Sequence, residues 1–378
     1  MDIRISDYTV IFLIGASYSG KSYFAEKHFL PYEIFSEKTP AFTETLIVLD
    51  GDYLTREKRS FAMKKAREHL YQRIAIVLDL PTEYLLRQAE GKKKETVIAS
   101  EVQSVHSFLQ KWQNEGFDAV YVISSVEELE KVCLIQEKGI FDKREDSGPF
   151  DLIGDVHGCL KELQKLLRKL GYSTDSDGKW QHPQNRKAVF LGDMVDRGED
   201  SVGVLRLVKQ LCEDNVAYAV LGNHDEKLLR YLQGNPVKVE HGMQSTVEQI
   251  GCLSSAEKEE LKEFLLHLST YYIFDGGSLV AVHAGIREEY LYRYTKEVRE
   301  FCLYGETNGE IDALGKPVRL DWTQGYKGDT IIAYGHIPYY AVRVCNHTYG
   351  VDTGCIFNNY LSALRYPEMA VERVRKRK

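Results

Sequence analysis

Five times along this chain, a short apolar run breaks into a glycine turn that carries side chains able to bind a metal. The turns read "LIGDVHG" (Leu152–Gly158), "FLGDMVDRG" (Phe190–Gly198), "VLGNHD" (Val220–Asp225), "VAVHAG" (Val280–Gly285) and "IAYGH" (Ile332–His336). Short apolar runs bounded by turn residues predict buried strands. In an open α/β sheet, the loops at the strands' C-terminal ends converge on one site. The pattern therefore commits the C-terminal part to a layered α/β fold with a single polar focus.

The focus would hold two carboxylates (Asp155, Asp193), three histidines (His157, His283, His336) and an amide (Asn223). This oxygen and nitrogen donor set suits a pair of divalent ions: Mn²⁺ first, then Fe, Ni, Co or Zn. Two such ions can bind a phosphate, activate water and stabilise the charge developing on the leaving oxygen. Arg197 offers planar donors to a phosphate. His224, oriented by Asp196, is placed to protonate a leaving alkoxide.

A second motif lies far upstream. "GASYSGKS" at Gly15–Ser22 fits G-x-x-x-x-G-K-[ST], between a predicted strand (Thr9–Gly15) and a predicted helix (Lys21–His28). Gly15 and Gly20 let backbone N–H groups, with that of Ser19, close on phosphate oxygens. The helix N-terminus adds its dipole. Lys21 would reach the β- and γ-phosphates and Ser22 would hold Mg²⁺, so ATP with Mg²⁺ is the expected ligand. Asp50 and Asp52 follow a strand and could serve the ion or an acceptor. Arg87 and Lys92–Lys94 could form a basic lid.

Further apolar runs at Thr45–Asp50, Arg73–Leu80 and Phe117–Ser124 alternate with helix-periodic stretches at Arg56–Leu70 and Thr96–Glu115, which predicts a parallel sheet. The charged stretch "FDKREDSGPFD" with its Ser-Gly-Pro reads as a boundary. The expected organisation is a P-loop kinase-like domain over 1–140, a linker over 141–150 and a metal-site domain over 151–378. The 378 residues carry a net charge of -7 with both signs mixed, which argues against a globally basic nucleic-acid binder. The basic run Arg56–His69 and the tail Arg373–Lys378 read as solvated surface. The seven cysteines form no CxxC pair, so neither a disulfide framework nor a zinc–thiolate site is expected. "VIFLIG" is too short for a signal core or a membrane span, and a cytoplasmic protein without membrane contact is expected.

The set GDxHG, GDxxDRG, GNHD, HAG and GH resembles the calcineurin-like metallophosphoesterase superfamily, near the serine/threonine protein phosphatases. "GPFDLIGDVHGCLKELQKLL", "LYGETNGEIDALGKPVR" and "YGVDTGCIFNNYLSALRYPE" further resemble the phosphatase module of bacterial polynucleotide kinase–phosphatase. The likeness runs almost continuously over Gly148–Glu368 and is patchy from Val10 to Gln136. It implies an α/β sandwich in which Asp155, His157 and a bridging Asp193 hold one metal. Asp193, Asn223, His283 and His336 would hold the other. Arg197 and His224 would contact phosphate, and Asp352 in "GVDTG" would support the site. That family continues into a nucleotidyltransferase module, whereas this sequence ends at Lys378. The kinase's catalytic Asp aligns with Lys38, beside Glu37, and the lid arginines are not cleanly matched.

The leading expectation is a phosphatase for nucleic-acid ends, RNA ahead of DNA. It would remove 3′-phosphate or open 2′,3′-cyclic phosphate, and would be coupled to a 5′-OH kinase and to a separate ligase or end-modifying partner. A dimer is one option for its assembly. A second expectation keeps the chemistry and changes the substrate to dinucleoside polyphosphates or phosphoproteins. A third makes the N-terminal domain an ATP sensor that regulates the phosphatase.

Overall fold

The computed structural model describes residues 1–36, 40, 42–136, 138–311, 317–357 and 359–376. Glu37 and Lys38, expected at the kinase's acid position, lie outside the described residues. The chain divides into two units. Met1–Gly139 and Tyr292–Lys296 form the first; Ile140–Leu291 and Glu297–Lys378 form the second.

In the first unit, apolar strands assemble into a parallel five-stranded sheet. Its order is Ile34–Phe35, Leu46–Leu49, Thr9–Gly15, Gln72–Leu78, Ala119–Ile123. Thr9–Gly15 is buried along its whole length, as a central parallel strand with helices on both faces requires. The chain leaves this strand toward one edge, then crosses to the other side at Gln72–Leu78. The loop after Gly15 therefore sits at the switch point of the sheet, where α/β folds bind ligands. The helices Lys21–His28, Arg56–Glu68 and Glu95–Lys111 match the predicted stretches within a few residues. Asp2–Ile5 pairs in parallel with Cys133–Gln136, outside the predicted elements.

The second unit is built on two sheets. The first runs Ala217–Ala219, Lys187–Phe190, Phe150–Ile153, Tyr360–Tyr366, Ala370–Arg375. The second runs Arg343–Cys345, Thr348–Gly350, Ile331–Tyr334, Leu279–Val282, Tyr271–Phe274, Asp142–Lys143. Alternation along the strands splits the side chains between two cores. Phe150, Leu152, Val189 and Leu364 meet Phe274, Leu279 and Ala281 between the sheets. Ile153, Ala188, Phe190 and Ala363 face the other way, onto Leu163, Leu166, Leu167, Leu205 and Val208 of the helices. The result is an α/β sandwich.

The stretch 141–150 does not link the units. Asp142–Lys143 is an edge strand of the second sheet, Phe141 stacks on Tyr271, and Asp146 pairs with Lys187 at 2.6 Å. Its charged composition is that of a sheet edge, which a linker shares. No helix among the described residues is long and apolar enough to cross a membrane.

Candidate active site

Six parallel strands, three from each sheet, point their C-terminal ends at one place. Phe150–Ile153 delivers Asp155 and His157; Lys187–Phe190 delivers Asp193, Asp196 and Arg197; Ala217–Ala219 delivers Asn223 and His224. From the other sheet, Leu279–Val282 delivers His283, Ile331–Tyr334 delivers His336, and Thr348–Gly350 delivers Asp352. All the residues predicted for this site from the sequence are brought together.

The loops are tightly fitted. His157, Asp193, Asp196, Arg197 and His336 all have positive φ, between 45° and 72°. Non-glycine residues rarely adopt this region, and each such position costs about 1–3 kcal/mol, a cost that clusters at functional sites. Gly192 (φ 95°) lies so close to His283 and Gly222 that a Cβ would come within 2.7 Å of His283 Nδ1. Asp225 binds two loops together: its carboxylate accepts the N–H groups of Met194 (2.9 Å) and Gly222 (3.0 Å). That role was not predicted, although Asp225 is the last letter of the quoted "GNHD".

The imidazoles show where a cation belongs. His157 Nδ1 and His283 Nδ1 lie 2.9 and 2.8 Å from the carbonyls of Val195 and Leu191. Carbonyls only accept, so each Nδ1 carries the proton and each Nε2 presents a lone pair. Burial keeps these rings neutral, pushing His157 down to about 4 and lowering His283 and His336 as well. His283 Nε2 faces Asn223 Oδ1 at 3.0 Å, His336 Nδ1 at 3.0 Å and Asp193 Oδ1 at 3.4 Å. His157 Nε2 lies 3.6 Å from Asp193 Oδ2 and 4.0 Å from Asp155 Oδ2. His336 Nε2 is buried without a hydrogen-bond partner. Asp155 is raised well above the carboxylate range by burial and by the charges of Asp352 and Asp193. Asp352 is pushed up to about 7, chiefly by burial. Lone pairs and crowded carboxylates converge here, and the donors that reach them, Arg197 at His157 Nε2 and backbone N–H groups at Asp155 and Asp193, leave His336 Nε2 unsatisfied. The donor set fits divalent cations in two groups, with Asp193 common to both.

Beside this cluster, His224 Nδ1 lies 2.6 Å from Asp196 Oδ2. Against the penalty of burial, the charge of Asp193 and the Asp196 hydrogen bond hold His224 above its ordinary pKa. Arg197 donates through Nη2 to His224 Nε2 (3.0 Å) and through Nη1 to His157 Nε2 (2.7 Å). Asp352 accepts the Gly354 N–H at 2.8 Å and shapes its own turn. A cavity of about 710 Å³ opens here, lined by Arg197, Asn223, His224, His336, Arg319, Tyr304 and Phe357 among others. Arg319 was not predicted: "GKPVR" follows no apolar run, and the hairpin Thr307–Ile311/Pro317–Arg319 brings it in.

The upstream residues form a separate cluster in the first unit. Gly20 has φ 87°, and a Cβ on Gly15 would fall 2.5 Å from Ser19 Oγ, itself buried and without a partner. Lys21 Nζ folds back onto the carbonyls of Gly15 (2.8 Å) and Ala16 (3.2 Å). Ser22 occupies the first turn of the helix. The Glu101 carboxylate accepts the Ser17 N–H (2.8 Å) and hydroxyl (3.2 Å), and Lys93 lies 2.6 Å from it. Of the expected lid cations, Lys93 is at the loop, while Arg87 is exposed at the end of the Thr82–Ala89 helix. Asp50 is buried, and Asp52 pairs with Lys58.

Comparison with known proteins agrees with the C-terminal geometry. The family model described as calcineurin-like phosphoesterase matches residues 148–363. A bis(5′-nucleosyl)-tetraphosphatase PrpE [asymmetrical] of Oceanobacillus iheyensis is 45% identical over 222 residues, 58% of this chain and 88% of that protein. Its namesake in Halalkalibacterium halodurans is 45% identical over 224 residues, covering 58% and 91%. That of Bacillus velezensis is 43% identical over 223 residues, covering 58% and 89%. The chain belongs to the calcineurin-like phosphoesterase family, and it is a metal-dependent phosphatase.

Proposed function

We propose that the C-terminal domain hydrolyses bis(5′-nucleosyl) tetraphosphates asymmetrically, to a nucleoside triphosphate and a nucleoside monophosphate. The observation that carries this is 45% identity to a tetraphosphatase across 88% of that relative's length. It is the second substrate class expected from the sequence, and it displaces nucleic-acid ends as the main reading. Asp155, His157 and Asp193 would hold one ion, and Asp193, Asn223, His283 and His336 the other. Such a pair supplies Lewis acidity toward the phosphoryl oxygens and lowers the pKa of water. The chain's own residues do the rest. The Arg197 fork and Arg319 bind the phosphate oxygens and offset developing charge. His224, held by Asp196, would protonate the leaving oxygen from Nε2 once Arg197 has left that nitrogen for the phosphate and Nε2 has taken up a proton. Asp352 fixes the turn beside Asp155.

The test is a substrate panel on the full chain with Mn²⁺: dinucleoside tetraphosphate, 3′-phosphate oligonucleotide, 2′,3′-cyclic phosphate and phosphopeptide. The tetraphosphate should give the highest kcat/KM, with triphosphate and monophosphate as products. A tenfold preference for an oligonucleotide end would restore the end-healing reading.

For the N-terminal domain we propose nucleoside triphosphate binding at Gly15, Ser19, Gly20, Lys21 and Ser22. Its support is the loop's position at the switch point of a parallel sheet, ahead of a helix.

A further inference from the structure

We propose that Phe357 is a specificity residue: its ring stacks on the nucleobase attached to the phosphate held by Arg197. The inference rests on the nucleotide reading above and deepens it.

Phe357 is 61% exposed, yet it lines the cavity that contains Arg197, His224 and His336. A lone exposed phenylalanine is ordinary on a protein surface. This one is held in place by the site itself. It ends the short helical turn Cys355–Phe357, and its N–H bonds the Gly354 carbonyl at 2.9 Å. That turn begins three residues after Asp352, and Gly354 also packs near Pro338, two residues beyond His336. The side-chain amide of Asn359 bonds the Thr353 carbonyl at 2.6 Å and closes the turn from the other side. The loops that place Asp352 and His336 therefore also place this ring.

On the other side of the ring lies the phosphate clamp. The Arg197 guanidinium carbon is 5.9 Å from the Phe357 centroid, and the same guanidinium reaches His224. A 5′-phosphate seated on that guanidinium has only a ribose between it and its base, so the base falls at the aromatic wall. Stacking recognises any base, since every base has a π-face, and removing one aromatic platform typically weakens binding about 5- to 150-fold. Phe357 would thus favour nucleotides over base-free phosphates without choosing among bases.

The experiment uses the Mn²⁺-loaded full chain and compares AMP with ribose 5-phosphate as inhibitors of p-nitrophenyl phosphate hydrolysis. The two inhibitors differ only in the base. The wild type should bind AMP at least tenfold more tightly than ribose 5-phosphate. Phe357→Ala should reduce that ratio to near one by weakening AMP alone, and Phe357→Trp should keep it. A wild type that does not distinguish the two inhibitors would overturn the proposal. So would a Phe357→Ala protein that keeps the ratio, or one that weakens both inhibitors equally, which is the mark of a structural role. Failure of the wild type to cleave dinucleoside tetraphosphate would instead refute the substrate reading, and the inhibitor ratio would still report on the ring.

Discussion

Gly222→Ala adds one methyl group and removes no ligand, yet it should disable the metal site. The backbone at Gly222 has φ -88° and ψ 169°, which any residue adopts, so the effect is purely steric. An added Cβ would lie 2.2 Å from the Asp193 backbone nitrogen and 2.4 Å from Asp193 Oδ1. Ordinary contact begins near 3.4 Å, so the Asp193 loop must yield by about 1.2 Å. That shift stretches the His224 N–H to Asp193 Oδ1 bond, now 2.9 Å, and the Gly222 N–H to Asp225 bond, now 3.0 Å. Overpacking of this kind costs about 1–3 kcal/mol of stability. Displacing a reacting group by about 1 Å costs about 100-fold in rate. The variant should therefore melt cooperatively, about 2–10 °C below wild type, with kcat/KM down about 100-fold and a higher Mn²⁺ requirement. Gly251→Ala is the control, because a Cβ there meets nothing within 4 Å. Phosphatase activity within threefold of wild type in Gly222→Ala would refute the idea that Asp193 is held to sub-ångström tolerance by the facing loop.

His224→Ala should retain Mn²⁺ and slow turnover about 100-fold or more on a nucleotide, but much less on p-nitrophenyl phosphate, whose leaving group needs no proton; equal losses would remove the general-acid role. Lys21→Ala should abolish ATP binding measured by calorimetry, while Glu101→Gln should strengthen it, because the Glu101 carboxylate competes with phosphate for the Ser17 N–H; weaker ATP binding by Glu101→Gln would contradict that competition. Asp151 is fully buried and accepts from Arg186 Nε (3.0 Å), Arg365 Nε (3.1 Å) and Tyr172 OH (3.0 Å). Asp151→Asn should cost about 3–5 kcal/mol in urea unfolding while kcat/KM of the folded protein stays near wild type.

The metal site was legible because its chemistry restricts both side-chain type and backbone. Donors must be Asp, His or Asn; they must follow strands to converge; and the turns between strand and donor need glycine where loops touch, as at Gly192 and Gly222. Arg319 and Phe357 were not legible, because each stands on a turn or hairpin where neither periodicity nor a neighbouring glycine marks the position. The edge strand Asp142–Lys143 was hidden for a related reason: two polar residues at a sheet edge have the composition of a linker. The substrate was harder still. Asp155, His157, Asp193 and the histidines define a phosphoryl-handling centre, and nothing in them touches what lies beyond the phosphate. Substrate choice belongs to the cavity wall, where Arg319, Tyr304 and Phe357 stand.

The two units use one architectural device in opposite ways. Each sets a loop at the C-terminal end of parallel strands. In the phosphatase the loop's side chains do the binding, so replacing one donor changes the chemistry and the motif can be read residue by residue. In the Gly15–Ser22 loop the backbone N–H groups would do the binding, and these are common to nearly all sequences. The motif then specifies only where side chains must stay small or where one ammonium must sit. What the loop does is set by groups far away in sequence. Here one of them is Glu101, 84 residues beyond Ser17, whose carboxylate already takes an N–H of the loop. An anion arriving at that loop meets a resident carboxylate and must also draw Lys21 away from the Gly15 and Ala16 carbonyls. If this loop binds a nucleotide as proposed, its affinity would be a difference between two anions competing for the same donors, and it would depend on Glu101 and Lys93 as much as on the motif itself.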